Sequence, residues 1–374
     1  MKVGWDVKKL GEVCDIVNGS TPLRSKKEFW NNGDIEWFTI EDIREQGRKI
    51  TRTKQKVTKA ALKETSLRTL PPNSVLLCCT ASIGEYAITE IPLATNQKFN
   101  GLVVKNKLVL EPLFLFHFCA TLKDVLSNLS GKTTIDFIPI SRLREIAIPL
   151  PPIVEQQRIV AILDQAFEGI AKARANAEQN LKNARALFES HLQSVFTQRG
   201  EGYEAKIFND VLEIKNGKDQ KPVEKIGGKF PIYGSAGNVM GWTDSYICDE
   251  QTTIIGRKGT INRPIFIETK FWNVDTAFGL AAKQNLNAKF LYFFCLSYDF
   301  SLHNRGTTIP SLVKTDLLNI KISVPSLSAQ ELLVKKFTAL HNETKRLEAL
   351  YQRKIALLDE LKKSLLQQAF AGEL

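Results

Sequence analysis

The second half of this chain repeats the first, and that repeat constrains the fold more than any single motif. Shifted by 174 positions, Thr133-Thr134-Ile135 falls on Thr307-Thr308-Ile309, Leu143, Ile146 and Ile148 on Leu317, Ile320 and Ile322, and Gln156 on Gln330. Leu187, Ser190, Leu192 and Phe196 fall on Leu361, Ser364, Leu366 and Phe370, with no gap needed from Thr133 to Gly200. Near the start the shift is 198: WDVKKLGEVCDIVNG from Trp5 lies on YEAKIFNDVLEIKNG from Tyr203, so the second unit is 24 residues shorter in its middle. Fixed edges around a variable middle describe a duplicated scaffold carrying two different inserts.

Each unit ends in a long helical segment. In the second, Leu333, Phe337, Leu340, Thr344, Leu347, Tyr351, Lys354, Leu358, Leu361 and Leu365 follow alternating steps of four and three. In the first, Ile159, Leu163, Ala166, Ile170, Ala173, Ala177, Asn180, Ala184 and Leu187 keep the same phase. Each runs about 40 residues, roughly 60 Å of helix, and a stripe of that length needs a partner. The alanines of the first let the larger side chains of the second approach, so an antiparallel pair is expected. The prolines of IPLPP (148–152) and Pro325 suit the helix entries.

Between these segments short β-rich runs alternate with turns. Val75–Leu77, Tyr86–Ile88, Leu102–Val104, Thr253–Ile255 and Ile265–Ile267 read as strands. Asn18-Gly19, Asn32-Gly33, Asn216-Gly217 and Gly227-Gly228 mark turns, and Pro112–Leu129 and Ala288–Leu302 read as helical. The expected fold class is α+β: two mixed α/β domains in pseudo-two-fold arrangement, joined by two long antiparallel helices forming a coiled-coil spacer. The expected boundaries are 1–152 and 199–326 for the domains, and 153–198 and 327–374 for the helices.

The net charge of +11 points toward a polyanionic partner. It resides mainly outside the helices: +6 over 1–154 and +3 over 198–328, against 0 over 155–197 and +2 over 329–374. Arg44, Arg48, Lys49, Arg52, Lys54, Lys56 and Lys59 crowd into sixteen residues, interleaved with threonines and opposed in sequence only by Glu45. Such a stretch suits phosphate and base-edge contacts. Ile255-Gly256-Arg257-Lys258-Gly259-Thr260 reads as a strand running into a basic glycine loop, whose glycines would let backbone amides approach a phosphate and whose arginine can grip guanine. Its counterpart is Thr80-Ala81-Ser82-Ile83-Gly84.

Signals for chemistry are lacking. The six cysteines form no CxxC pair and the four histidines lie far apart, so no metal site is read and buried free thiols are expected. Gly131-Lys132-Thr133 resembles the end of a phosphate-binding loop, but Leu126 stands where that motif needs glycine. Pro151-Pro152 follows Leu150 and precedes Ile153, unlike an amino-methyltransferase site, and no HExxH or GxSxG occurs. The N-terminus has no apolar signal core, and the longest apolar stretch, Pro112–Leu122, is too short for a bilayer. A cytoplasmic protein is expected.

The order of NGSTP, GEYAI, IPLPPIVEQQRIVAILD, FPIYGSAGNVMGWTD, IIGRKGTINRPIFI, FWNVDTAFGL and GTTIPSL, set on the half-repeat, resembles the specificity subunit of type I restriction–modification systems. That resemblance covers nearly the whole chain. It implies a non-catalytic, sequence-specific reader of double-stranded DNA, each domain binding one half of a split target. The helices would act as a ruler and dock two methyltransferase subunits. No cofactor is implied in this chain; S-adenosylmethionine would be held by the modification subunits, and ATP and Mg would serve the restriction subunits. A 60 Å rod spans under two turns of duplex, at roughly 34–36 Å per turn. The first domain departs from the family in having CTASIGE where the second has IIGRKGT. The residues expected at DNA are Thr21, Arg24, Lys26, Lys27, Arg44, Arg48, Lys49, Arg52, Lys54, Lys56, Thr80, Ser82, Lys132 and Thr133 in the first domain. In the second they are Lys218, Lys221, Tyr233, Ser235, Arg257, Lys258, Gly259, Arg305 and Thr307. The expected helix seam comprises Ile159, Leu163, Ile170, Leu187, Leu333, Phe337, Leu340, Leu347, Tyr351, Leu358, Leu361 and Leu365. Two other readings are an adaptor whose basic domains bind something other than DNA, and a DNA-modifying enzyme without familiar motifs.

Overall fold

A computed structural model describes residues 4–129, 137–197 and 202–374. The chain divides into two compact units, Met1–Ala175 with Ile355–Leu374, and Asn176–Lys354. Two long helices, Ile153–Phe196 and Leu327–Ala371, each contribute to both.

In the first unit a five-stranded sheet has the order Cys14–Asn18, Phe99–Val104, Val75–Cys78, Tyr86–Thr89 and Lys49–Ile50. A three-stranded sheet places Ile35–Phe38 between Gln55–Val57 and Ala94–Thr95, and Asp6–Lys9 pairs antiparallel with Ala147–Leu150. The second unit uses the same frame. Leu212–Asn216, Ala277–Ala282, Thr252–Gly256 and Ile265–Ile267 form one sheet; Phe230–Tyr233 lies between Val239–Thr243 and Trp272–Asn273; and Tyr203–Ile207 pairs with Lys321–Pro325.

The correspondence holds residue by residue. Leu76 pairs with Gly101 as Ile254 pairs with Gly279, and Phe38 pairs with Thr95 as Tyr233 pairs with Asn273. Gly19 and Gly217 make equivalent close approaches: a Cβ would lie 2.0 Å from the Asn96 carbonyl in one and 1.8 Å from the Val274 carbonyl in the other. No other residue fits there, which accounts for the repeated Asn-Gly. The register locates most of the length difference. Phe38 and Val75 are 37 positions apart, and their counterparts Tyr233 and Thr253 only 20. The extra residues of the first unit build the helices Ile40–Gln46 and Lys59–Glu64, and Phe29, Trp37, Val57, Ala61 and Leu67 form a small core there.

Each long helix is tied to its domain by a fully buried glutamine. Gln156 accepts from the Glu111 backbone N–H at 2.9 Å and donates to the Val109 and Pro151 carbonyls at 2.9 and 2.8 Å. Gln330 accepts from the Asn287 N–H at 2.7 Å and donates to the Asn285 and Pro325 carbonyls at 3.2 and 2.8 Å.

Within each unit the helix segments run antiparallel. Lys362 lies 4.8 Å over the Phe167 ring in the first, where Arg158 donates to the Leu374 carbonyl at 2.6 Å. In the second, Arg185 pairs with Glu348 at 2.8 Å, and Phe188 and Phe196 meet His341 and Phe337. Ile159, Leu163 and Phe337 are buried, while Ile170, Leu333, Leu340, Leu347, Tyr351, Leu358 and Leu365 are half-buried. Two seam positions need correction: Leu187 is 65% exposed and Leu361 47%. Phe188 and the half-buried Lys362 turn inward instead. A straight α-helix drifts about 20° per heptad from a strict seven-residue repeat, so after four heptads the inward position has moved on by nearly one residue. Leu187 and Leu361 stand four heptads beyond Ile159 and Leu333.

Replacing Gln330 with leucine removes the side-chain partner of one amide and two carbonyls, of which the Pro325 carbonyl is buried, so Gln330→Leu should lower stability by about 1–3 kcal/mol. Chemical unfolding of the full chain checks this; a loss below about 0.5 kcal/mol, the scale of an ordinary surface substitution, would contradict the anchoring role.

Candidate nucleic-acid interface

The basic stretch of the first domain lies within its insert, and the fold supplies carboxylates that sequence proximity concealed. Arg52 meets Glu45 at 3.3 Å, Lys54 meets Glu41 at 3.8 Å, and Lys56 meets Glu36 at 2.7 Å. Burial alone would raise the Glu36 pKa, but Lys56 and two hydrogen bonds from Thr53 outweigh it and hold that carboxyl below its ordinary value. Arg48 is spent inside the domain: it meets Glu85 at 3.1 Å, donates to the Tyr86 carbonyl at 2.7 Å and stacks over the Tyr86 ring. The expectation that Glu45 alone opposes the cluster is therefore corrected. Arg44, Lys49 and Lys27 are exposed and have no carboxylate partner among the described residues.

Arg24 lies 3.7 Å over the Trp30 ring and 4.8 Å from that of Trp37, which presents its guanidinium from a fixed aromatic base. Lys26 pairs with Glu64 and Glu28, and Thr21 donates to Gln97. Arg44 and Ser82 line one cleft of about 470 Å³ together with Lys123, a residue that sequence reasoning missed. Lys132 and Thr133 lie outside the described residues; next to them, Phe137 bridges to Thr80.

In the second domain two distant loops are brought together. Lys258 bridges to Ser311, the Leu312 N–H donates to the Arg257 carbonyl at 2.8 Å, and the Arg305 N–H donates to the Ser311 carbonyl at 2.8 Å. Arg257, Lys258, Gly259, Arg305 and Thr307 thus form one group. The first domain repeats the arrangement, the Ile138 N–H donating to the Cys79 carbonyl at 3.0 Å. By this register Cys79 and Thr80 stand where the second domain has Arg257 and Lys258, and Ala81, at φ 59°, stands where it has Gly259, at φ 80°.

The expected cradle of backbone amides in this loop is contradicted. The N–H groups of Arg257 and Lys258 donate to the Thr276 carbonyl at 2.8 and 3.1 Å, and that of Gly259 to the Pro310 carbonyl at 2.9 Å. The glycines serve the turn, and the cationic side chains remain for a ligand. Arg257 donates only a 3.2 Å bond to the Asp275 carbonyl, whereas Arg305 forms a two-pronged pair with Asp316 at 2.8 and 3.0 Å. Lys218 and Lys221 are exposed on the loop after Leu212–Asn216. Tyr233 packs edge-on against Phe271 and lines a groove with Phe266, Tyr292 and His341, and Ser235 is half-buried in the adjoining turn.

All six cysteines are free and buried; burial pushes the Cys14 thiol up to about 12 and Cys79 to about 11. No group of three or more His, Cys, Asp or Glu is placed to hold a metal among the described residues, and no described helix is long and apolar enough to cross a membrane.

Two copies of one β-rich frame, each carrying its own basic loops and its own insert, define a duplicated two-domain protein with paired long helices. The family model for the type I restriction modification DNA specificity domain matches residues 2–181 and again 200–357. The chain is 28% identical to the type I restriction enzyme MjaIX specificity subunit of Methanocaldococcus jannaschii, over 99% of this chain and 93% of that one. It is 25% identical to the EcoprrI specificity subunit of Escherichia coli, over 89% and 87%. Its fold is similar to a chain in a structure of complex assembly and conformational transition of the type I R-M system (TM-score 0.84, 20% identity, covering 100% and 99%). It is also similar to the HsdS subunit of Thermoanaerobacter tengcongensis (TM-score 0.64, 20% identity, covering 100% and 98%). The chain belongs to the type I restriction–modification specificity family.

Arg44 and Arg48 separate binding from folding. Arg44→Ala should weaken duplex binding with melting unchanged, because its side chain holds no carboxylate among the described residues. Arg48→Ala should lower stability by about 1–3 kcal/mol, because it strips the Tyr86 carbonyl of a charged donor. Melting curves and filter binding read both; equal loss of stability in the two variants would contradict the assignment.

Proposed function

We propose that this chain is the DNA-reading subunit of a type I restriction–modification complex, each domain gripping one half of a bipartite duplex target. The observation that carries this is the pairing of one conserved frame with two unlike inserts, residues 39–74 and 234–252, beside equivalent loop pairs. A common frame gives both domains the same way of approaching a duplex, and different inserts give them different bases to prefer. The side chains nominated for phosphate or base contact are those whose cations hold no carboxylate among the described residues, above all Arg44, Lys49, Arg257, Lys258, Lys218 and Lys221. The domains extend over 1–152 and 199–326, and the helices at 153–198 and 327–374 set the gap and dock two methyltransferase subunits. S-adenosylmethionine, ATP and Mg belong to the methyltransferase and restriction partners, and the assembly works in the cytoplasm. The family membership supports assigning catalysis to those partners.

The purified chain should bind duplex DNA with an affinity that falls steeply as salt rises, each neutralised phosphate contributing about −0.9 to the log–log slope. Lys258→Ala should weaken binding and reduce that slope by about one, with melting unchanged, because its exposed side chain holds no carboxylate among the described residues. Salt-insensitive binding, or none, would favour the adaptor reading. Incubation with labelled S-adenosylmethionine should give no methyl transfer without the partner subunit; transfer by this chain alone would refute the assignment.

A further inference from the structure

The outer strand of the three-stranded sheet carries opposite chemistry in the two domains. In the first domain Trp37 pairs with Gln55 on one side and Ala94 on the other, and Glu36 pairs with Lys56. In the second, Ile232 pairs with Gly241 on one side and Trp272 on the other, and Pro231 pairs with Trp242. Trp242 therefore occupies the position of Lys56. Where the first domain shows a cross-strand ion pair, the second shows proline against tryptophan.

Trp242 is 46% exposed, and its neighbours Val239, Met240 and Tyr246 are 48%, 49% and 43% exposed. Three large apolar side chains on one exposed hairpin, with Tyr246 just beyond it, are costly to leave in water and mark a binding surface. The hairpin is shaped deliberately: the register shifts between Ile232 and Tyr233, so that Met240 is the extra residue of a bulge, and bulges re-aim side chains. Its rim carries both signs, with lysines in slight excess: Lys225 pairs with Asp244 and donates its backbone N–H to the Trp242 carbonyl at 2.7 Å, Lys270 lies 4.5 Å over the Tyr246 ring and 3.9 Å from Asp249, Glu224 lies against Gly241, and Lys221 and Lys229 are exposed on the preceding segment. An apolar centre with lysines in excess of carboxylates around it, at the frame position where the other domain presents Lys56, matches an anionic ligand that also has an apolar feature. In duplex DNA that feature is the thymine methyl group, which projects into the major groove.

We propose that Trp242, flanked by Val239 and Met240, is a specificity-determining residue that recognises thymine methyl groups in the half-site of the second domain. The equivalent Gln55–Val57 strand of the first domain presents Lys56 at that position instead. This rests on the reading that both domains bind duplex DNA.

The test uses the full chain and the duplex it selects from a random pool. Each thymine of that duplex is replaced in turn by deoxyuridine, which removes only the 5-methyl group. At one or more positions the wild-type chain should lose affinity about four-fold, the worth of burying one methyl. Trp242→Ala should bind the thymine and uracil duplexes equally at those positions, and Lys56→Ala should keep the wild-type difference. Trp242→Leu, which keeps an apolar side chain, should retain part of it, and serves if the alanine variant does not fold. A folded Trp242→Ala chain with full methyl sensitivity overturns the proposal, as does a wild-type chain indifferent to every thymine methyl. A wild-type chain that selects no sequence at all refutes the underlying DNA-reading assignment instead.

Discussion

A buried side-chain amide holds each half of this molecule in register. A buried amide that satisfies three backbone groups fixes both position and rotation, because shifting the helix by one residue would break all three bonds. Gln156 and Gln330 do this at the first turn of the two long helices. Hydrophobic contacts around them, such as Ile159 and Leu163 in the first unit and Leu333 and Val334 in the second, supply attraction with little directional demand. The glutamines supply the direction.

That anchoring lets the remainder of each domain diverge. The frame strands keep their pairing in both units, down to the glycines at 19 and 217, while the segment between Phe38 and Val75 has changed length and chemistry relative to its counterpart. Many cations of the first insert are held by surface carboxylates. Exposed pairs of this kind contribute only about 0–1 kcal/mol each, so exchanging Glu41 or Glu45 for a phosphate costs little while keeping the side chains ordered beforehand. Arg24, stacked on two tryptophans, is ordered in the same sense.

Much of this was legible in the sequence because duplication writes the frame twice. The repeat marked the edges of each unit, the Asn-Gly turns and the glutamine pair, and periodicity marked the long helices. What stayed hidden depends on contacts between distant segments. Glu36 and Glu85 are remote in sequence from Lys56 and Arg48, so the cluster looked opposed by Glu45 alone. The glycine loop at 256–259 suggested open amides, but Thr276 and Pro310 occupy them. A strict heptad put Leu187 and Leu361 inside, where accumulated drift puts Phe188 and Lys362. The equivalence of Lys56 and Trp242 could not be read at all, because the inserts share no alignable residues and only strand register relates them.

The central claim is that one frame, duplicated and fitted with unlike inserts, reads two different DNA segments. Sequencing the duplexes that the full chain retains from a random pool tests it directly. Two dissimilar short motifs at one constant separation are predicted. Two identical motifs, a single uninterrupted motif, or motifs at variable separation would contradict the account.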